Sequence, residues 1–217
     1  RNNDKLFNNY KKDLNILLEE LRKKKQISER SLLELRKEHP TIIGFLCELG
    51  SKPNNFISGL QLKCHPEILK VCKKLLKTKL LGTMNSSDRL FFESNLSYEK
   101  KFFQDIHNDY NYVWQTKSAL TASLNLFGEK NSGGIEVYLK SHEHDFAFKT
   151  DKHKRPQLLD EELKKLNKNF EKIFIPHNPG SITFFHTLLY HCTIQTNSKK
   201  LRVVQIFRYS DLKKVET

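Results

Sequence analysis

From Arg89 onward the chain is cut into short aromatic and β-branched runs separated by turn-forming residues, and this texture limits the fold more than any other feature of the sequence. The runs cover residues 90–92, 120–127, 135–139, 172–175, 182–185, 188–194 and 201–209. Such residues fit a pleated, half-buried surface, and many short strands at this spacing close into a sandwich or a barrel. One stretch interrupts them. Residues 160–170 place Leu163, Leu166 and Phe170 on one side of a charged helix, after a polar segment at 149–157.

Upstream, the period changes to that of helices. Phe7, Tyr10, Leu14, Leu17 and Leu21 recur every three or four residues and would line one helical face. A second helix is expected from Ser28 or Ser31, through Leu32, Leu33 and Leu35, to His39-Pro40. A third is expected to open at Pro66, with Ile68, Leu69, Cys72, Leu75 and Leu76 inward. The fold class expected is therefore α+β, mostly β with N-terminal helices. Residues 1–88 form a helical scaffold and 89–217 the β core, all within one domain, since 217 residues suit a single core.

Composition narrows the class. Hydrophobic residues make up 37%, with fifteen Phe and seven Tyr, enough apolar material to offset the entropy of ordering. No run approaches the roughly 18 to 20 apolar residues needed to span a bilayer, and residues 1–4 carry no signal-peptide core. A soluble cytoplasmic protein is the expectation. Cys47, Cys64, Cys72 and Cys192 lack metal-site spacing and sit among apolar neighbours, as packed thiols do. The net charge of +13 is divided between residues 1–100, with 20 basic against 12 acidic, and residues 101–217, with 18 against 13. It reads as solvated lysine-rich faces, not a nucleic-acid-binding tail.

The candidate chemistry starts at His107-Asn108-Asp109. In an extended segment, residues two apart project to one side, so an imidazole and a carboxylate can reach one ion. Downstream, the segment Gly180 to His191, the polar turn at 197–200 and Leu201-Arg202-Val203-Val204 read as strand, strand, turn, strand. His191 would then supply a third ligand, and Arg202 would return on a neighbouring strand facing the same cavity. Two imidazoles and one carboxylate on one octahedral face leave three positions open, as in iron(II) oxygenases. The Arg202 guanidinium matches a carboxylate in a bidentate fork.

His107-x-Asp109, the run Phe184-Phe185-His186-x-Leu188-Leu189-x-His191, and an arginine eleven residues beyond that histidine together resemble the phytanoyl-CoA dioxygenase family. The segment 120–127, Gly133-Gly134 and Ser141-His142 resemble that family's central strand and following loop. The resemblance covers residues 89–209. It implies a double-stranded β-helix (a cupin-like jelly roll) packed against outer helices, and a non-haem oxygenase using Fe(II), dioxygen and 2-oxoglutarate. His107, Asp109 and His191 would hold the metal, and Arg202 the 2-oxoglutarate, with Thr193 and Thr121 as further hydroxyl donors to the co-substrate. Asp109 is the carboxylate that related halogenases lack, so oxygenation is the outcome implied. The chain departs from the family at Ser181, where aspartate is common, and at Lys140, where glycine is.

The remaining histidines carry less. His186 has the opposite strand parity to His191 and reads as packed beside the site. His142, His144 and His153 lie in a polar loop and read as solvent or substrate contacts. His39, His65 and His177 adjoin proline or polar turns and are assigned no chemistry. Residues 141–170 form an expected lid, whose His142, His144, Lys149, Lys152, His153, Lys154 and Arg155 suit a small polar or anionic substrate such as a sugar or nucleotide-sugar. Two other functions remain open. Arg202-x5-Arg208 resembles the paired arginines of AlkB-type nucleic-acid oxygenases, although these stand farther beyond the last ligand histidine. A jelly roll can also serve as a non-catalytic binding module.

Overall fold

The computed structural model describes residues 2–24, 57–83, 88–93, 105–111, 116–150, 156–195, 198 and 202–214. The helix expected after Ser28, together with His39, Cys47, Lys152, His153, Lys154 and Arg155, lies outside them. Helix α1 (Asn2–Lys24) buries Tyr10 and Leu14, with Phe7 packed alongside, as its period predicts. Two shorter helices follow, α2 (Ile57–Lys63) and α3 (Pro66–Leu76). Pro66 opens α3, where its missing N–H costs no helical bond, and the His65 ring accepts from the Glu67 amide. Ile68, Cys72 and Leu76 form the buried stripe of α3. Leu75, expected inward, lies at the margin of that stripe and is 52% exposed. Cys64 is likewise exposed, while Cys72 is packed as expected.

The strands are β1 (Leu81–Thr83), β2 (Arg89–Glu93), β3 (Ala119–Phe127), β4 (Gly134–Tyr138), β5 (Phe148–Thr150), β6 (Pro156–Leu158), β7 (Lys172–Pro176), β8 (Ile182–His186), β9 (His191–Ile194) and β10 (Arg202–Asp211). Helix α4 (Asp160–Asn169) falls between β6 and β7, where the charged helix was expected. The large sheet runs β1-β10-β3-β8, with β2 also on the outer edge of β10; the small sheet runs β7-β4-β9. All described pairings are antiparallel, and β5 with β6 forms a separate hairpin.

Strand parity explains where the core sits. Leu120, Ala122 and Leu124 of β3 join Val203, Phe207 and Tyr209 of β10 in one apolar cluster with the helical residues Tyr10, Leu14, Leu62, Ile68, Cys72 and Leu76. The helices therefore cover the outer face of the large sheet. The alternate residues of the same strands are polar and buried: Thr121, Ser123 and Asn125 on β3, Arg202, Arg208 and Ser210 on β10. A buried polar stripe persists only where it is hydrogen-bonded or serves a site.

A second cluster holds Tyr138, Leu158, Leu166 and Tyr190, so α4 and the end of the β5–β6 hairpin are rooted in apolar packing. The run at 188–194 is only partly strand. Leu188 to Tyr190 turn instead, the Leu189 amide bonding the His186 carbonyl at 2.9 Å and the Tyr190 amide bonding the Ser141 hydroxyl at 2.9 Å. That turn carries the chain from the large sheet to the small one. Arg202 thus lies on a strand of the opposite sheet from His191, not on a neighbouring one.

Candidate metal centre

His107 and His191 are joined by their backbones before their side chains meet. The His107 amide bonds the His191 carbonyl at 3.0 Å, and the His191 amide bonds the His107 carbonyl at 2.8 Å. This single antiparallel bridge leaves the two imidazole rings 4.4 Å apart. Asp109 does not follow in an extended strand as expected. The chain turns at once, with the Asn111 amide bonding the Asn108 side chain and the Tyr110 amide bonding the Thr187 carbonyl, and the turn swings Asp109 in between the rings. Its Oδ1 lies 3.9 Å from His107 Nε2 and 4.0 Å from His191 Nε2. The three donor atoms lie within 4.8 Å of one another, and all three residues are buried.

Both imidazoles are held in the same way. Nδ1 of His107 donates to the Asp105 carbonyl at 2.7 Å, and Nδ1 of His191 to the Leu189 carbonyl at 2.9 Å, each two residues upstream. A neutral ring that carries its proton on Nδ1 keeps the lone pair on Nε2, the atom that faces Asp109, and this is the tautomer a metal ligand needs. Burial, reinforced by His191 alongside, pulls the His107 imidazole down to about 3, so it is neutral. Burial alone would raise the Asp109 carboxyl, but the Arg208 guanidinium beside it, with the Thr121 hydroxyl, outweighs burial and brings it to about 2. Two buried imidazoles and one carboxylate form a donor set that fits a divalent first-row metal.

Both Asp109 oxygens are engaged. Arg208 Nη2 lies 3.2 Å from Oδ1, and the Thr121 hydroxyl donates to Oδ2. Thr121 and Arg208 are direct cross-strand partners of β3 and β10, so register alone brings them to one carboxylate. On the other side of β3, Phe185 pairs with Thr121 and sets its ring 4.6 Å from that of His191.

Arg202 stands six residues from Arg208 on the same face of β10. It is buried, and its Nη2 reaches the Ile194 carbonyl of β9 at 3.2 Å, bridging the two sheets. Thr193 precedes that carbonyl and pairs with Ile135. Thr121 is placed at the Arg208 end of the strand, not the Arg202 end. His177, to which the sequence suggested no role, is buried near Arg202 with Nε2–H directed at the Phe127 carbonyl; burial and then Arg202 pull it down to about 4.

Among the described residues, His186, His142 and His144 make other ring contacts. His186 faces His142, with ring centroids 5.1 Å apart, and burial and then His142 lower it to about 4. His144 stacks edge-on against Phe170. Lys140, where the resembled family has glycine, sits at φ 62°, the left-handed conformation that glycine adopts without strain. The contact that sequence reasoning missed is Arg208 on Asp109. Its even spacing from Arg202 on one strand was the signal for it.

No protein-family model matches this sequence, and comparison with curated proteins finds no relative. Solved structures do resemble the chain. One is the epimerase SnoN from nogalamycin biosynthesis, in complex with Fe3+, alpha ketoglutarate and nogalamycin RO: 16% identity, TM-score 0.55, covering 71% of this chain and 59% of that one. Another is the non-haem alpha ketoglutarate dependent carbocyclase SnoK of the same biosynthesis: 17% identity, TM-score 0.53, covering 70% and 58%. A third is EctD from S. alaskensis with 2-oxoglutarate and 5-hydroxyectoine: 17% identity, TM-score 0.53, covering 72% and 53%. The chain thus spans little more than half the length of these proteins. At such identity the likeness establishes the fold, an α+β jelly roll with helices on its outer face.

Proposed function

We propose that the chain is an Fe(II)- and 2-oxoglutarate-dependent dioxygenase of the phytanoyl-CoA dioxygenase type, oxidising a small polar or anionic metabolite with release of succinate and CO2. The observation that carries this reading is the buried convergence of His107, Asp109 and His191, their Nε2 and Oδ1 atoms turned toward one another. Iron(II) held there would supply the redox chemistry that couples oxidative decarboxylation of 2-oxoglutarate to insertion of one oxygen atom of O2 into a substrate C–H bond. The chain's own part is to aim both imidazoles through their Nδ1 hydrogen bonds, to keep the carboxylate ionised, to orient the co-substrate and to exclude water. Arg202 would hold the distal carboxylate of 2-oxoglutarate, with Thr193 as a hydroxyl donor, whereas the Thr121 hydroxyl, expected to share that task, is committed to Asp109 instead. The solved structures of SnoN and EctD, which hold alpha ketoglutarate and 2-oxoglutarate on the same fold, support this choice of co-substrate.

Residues 141–170 form the lid in this reading. The hairpin approaches the centre directly, for Gln157 Nε2 bonds the side chain of Asp105, whose carbonyl holds His107. His142, His144 and Lys149 supply groups that can meet hydroxyls or phosphates.

The test is succinate release from purified protein supplied with Fe(II), ascorbate, 2-oxoglutarate and panels of saccharides, phosphorylated metabolites, amino acids, acyl-CoA esters and single-stranded DNA. Release stimulated by the polar small molecules is the expected result. Stimulation by acyl-CoA esters or by DNA alone would overturn the substrate class, and no succinate under any condition would leave a non-catalytic binding module.

A further inference from the structure

The buried polar stripe continues behind the candidate metal centre into a pair of charges that the proposed chemistry does not use. Lys63 ends α2 and Asp88 immediately precedes β2. Lys63 Nζ lies 2.6 Å from Asp88 Oδ2, and neither side chain has any exposed surface. The other carboxylate oxygen, Asp88 Oδ1, accepts the backbone N–H of Arg208 at 3.1 Å. The position of that bond explains the need for it. On its outer edge, β10 pairs with β2 through Ile206 and with β1 from Tyr209. Arg208 falls in the interval between these two short strands, where Asp88 takes the place of a ladder acceptor.

The neighbouring residues are tied to the same helix end. The Tyr209 hydroxyl donates to the Lys63 carbonyl at 2.8 Å, and Lys63 Nζ lies 5.9 Å from the centre of the Phe207 ring. Three consecutive residues of β10 are thus stitched to Lys63 or Asp88, and the middle one is the arginine that reaches Asp109.

We propose that Lys63 and Asp88 are positioning residues for the candidate metal centre: Asp88, neutralised by Lys63, fixes the backbone of Arg208 between β1 and β2 and so holds its guanidinium against Asp109. This rests on the reading of His107, Asp109 and His191 as metal ligands. Burying two charges is costly, and an apolar pair of equal volume would serve stability as well or better. A merely cohesive role therefore does not account for the pair, whereas a hydrogen-bond acceptor at the Arg208 amide does. Burial pushes the Asp88 carboxyl up to about 6 and pulls Lys63 down, against their mutual attraction, as expected of a pair held by geometry at electrostatic expense.

Two double variants separate position from charge. K63M/D88N removes both charges and keeps an oxygen acceptor; K63M/D88L removes the acceptor as well. Hydrogen exchange at the Arg208 amide and Mn(II) affinity by calorimetry, without co-substrate, are measured on each after thermal unfolding has shown that it folds. K63M/D88N should keep both values within about threefold of wild type. K63M/D88L should exchange the Arg208 amide at least tenfold faster and bind Mn(II) about tenfold more weakly, the usual cost of disturbing the support of a metal ligand. Should that variant fail to fold, Arg208→Lys supplies the second arm, because it keeps the amide bond and loses the guanidinium that reaches Asp109: protection should stay and Mn(II) affinity fall. Unchanged exchange in K63M/D88L, or unchanged Mn(II) affinity in Arg208→Lys, overturns the positioning role. Wild-type protein that binds no Mn(II) overturns the metal reading itself, and the exchange result still shows whether Asp88 holds Arg208.

Discussion

An imidazole presents to a metal whichever nitrogen its other hydrogen bond leaves free, and in both His107 and His191 a carbonyl two residues upstream makes that choice. The ligand tautomer is thus set by local backbone, within reach of either residue's own segment. Replacing either histidine with alanine should abolish Mn(II) or Fe(II) binding in calorimetry and, with it, 2-oxoglutarate turnover; full metal occupancy in His191→Ala would refute the assignment. The role proposed for Arg202 lies at a different point. Arg202→Ala should leave the metal affinity intact and raise the KM for 2-oxoglutarate at least tenfold, since losing one partner of a buried charge pair costs on the order of 2 to 5 kcal/mol. An unchanged KM would transfer the role to another cation.

At the scale of elements, the expected lid divides into two parts. Leu158 and Leu166 lie in the cluster with Tyr138 and Tyr190, and Phe146 meets the rings of both Tyr190 and Phe170 edge-on. That part is core as much as lid. Leu166, fully buried, should cost roughly 2 to 5 kcal/mol when truncated to alanine, read as a lowered midpoint in urea or heat. Replacing residues 151–155 with a two-residue turn should leave the unfolding midpoint within a few degrees, and a collapse of the fold would show that the hairpin tip is structural. The lid expected at 141–170 should therefore tolerate shortening only at that tip. Polarity marks exposure residue by residue, but it does not reveal that a few apolar residues in the same segment root it.

Across the whole molecule, acid should be destabilising before any metal ligand is considered. His177 and His186 are both held near 4 by burial, below the ordinary imidazole range of about 6.5. A histidine depressed in the folded state contributes stability above its unfolded value and loses it as pH falls toward the folded one. Between pH 6.5 and 4, unfolding therefore takes up about two protons from this pair. Asp88 opposes them, because burial raises it to about 6 and the folded form binds a proton there first. The balance of these three groups is about one proton taken up on unfolding, and His107, held near 3, adds a second in metal-free protein, so stability should fall by at least roughly 1.4 kcal/mol per pH unit across that window. Denaturant melts at pH 6 and pH 5 check the sign: a protein more stable at pH 5 would contradict the burial of these imidazoles.

The sequence by itself determined the periods and the candidate ligands. The spacing of three and four through Phe7, Tyr10 and Leu14 named the buried face of α1, Pro66 marked the start of α3, and the short β-branched runs located each described strand longer than three residues. It also singled out His107, Asp109, His191 and Arg202, because few residue types can bind a metal or fork a carboxylate. What it could not contain was the arrangement between segments far apart in the chain. The bridge joining His107 to His191 spans 84 residues, the Arg208 contact on Asp109 spans 99, and the Lys63–Asp88 pair depends on a helix and a strand meeting at one point of β10. Local pattern encodes which face of an element is apolar. Which two elements share a register, and therefore which polar groups are left to satisfy one another inside, is decided only when the sheets close and water is excluded.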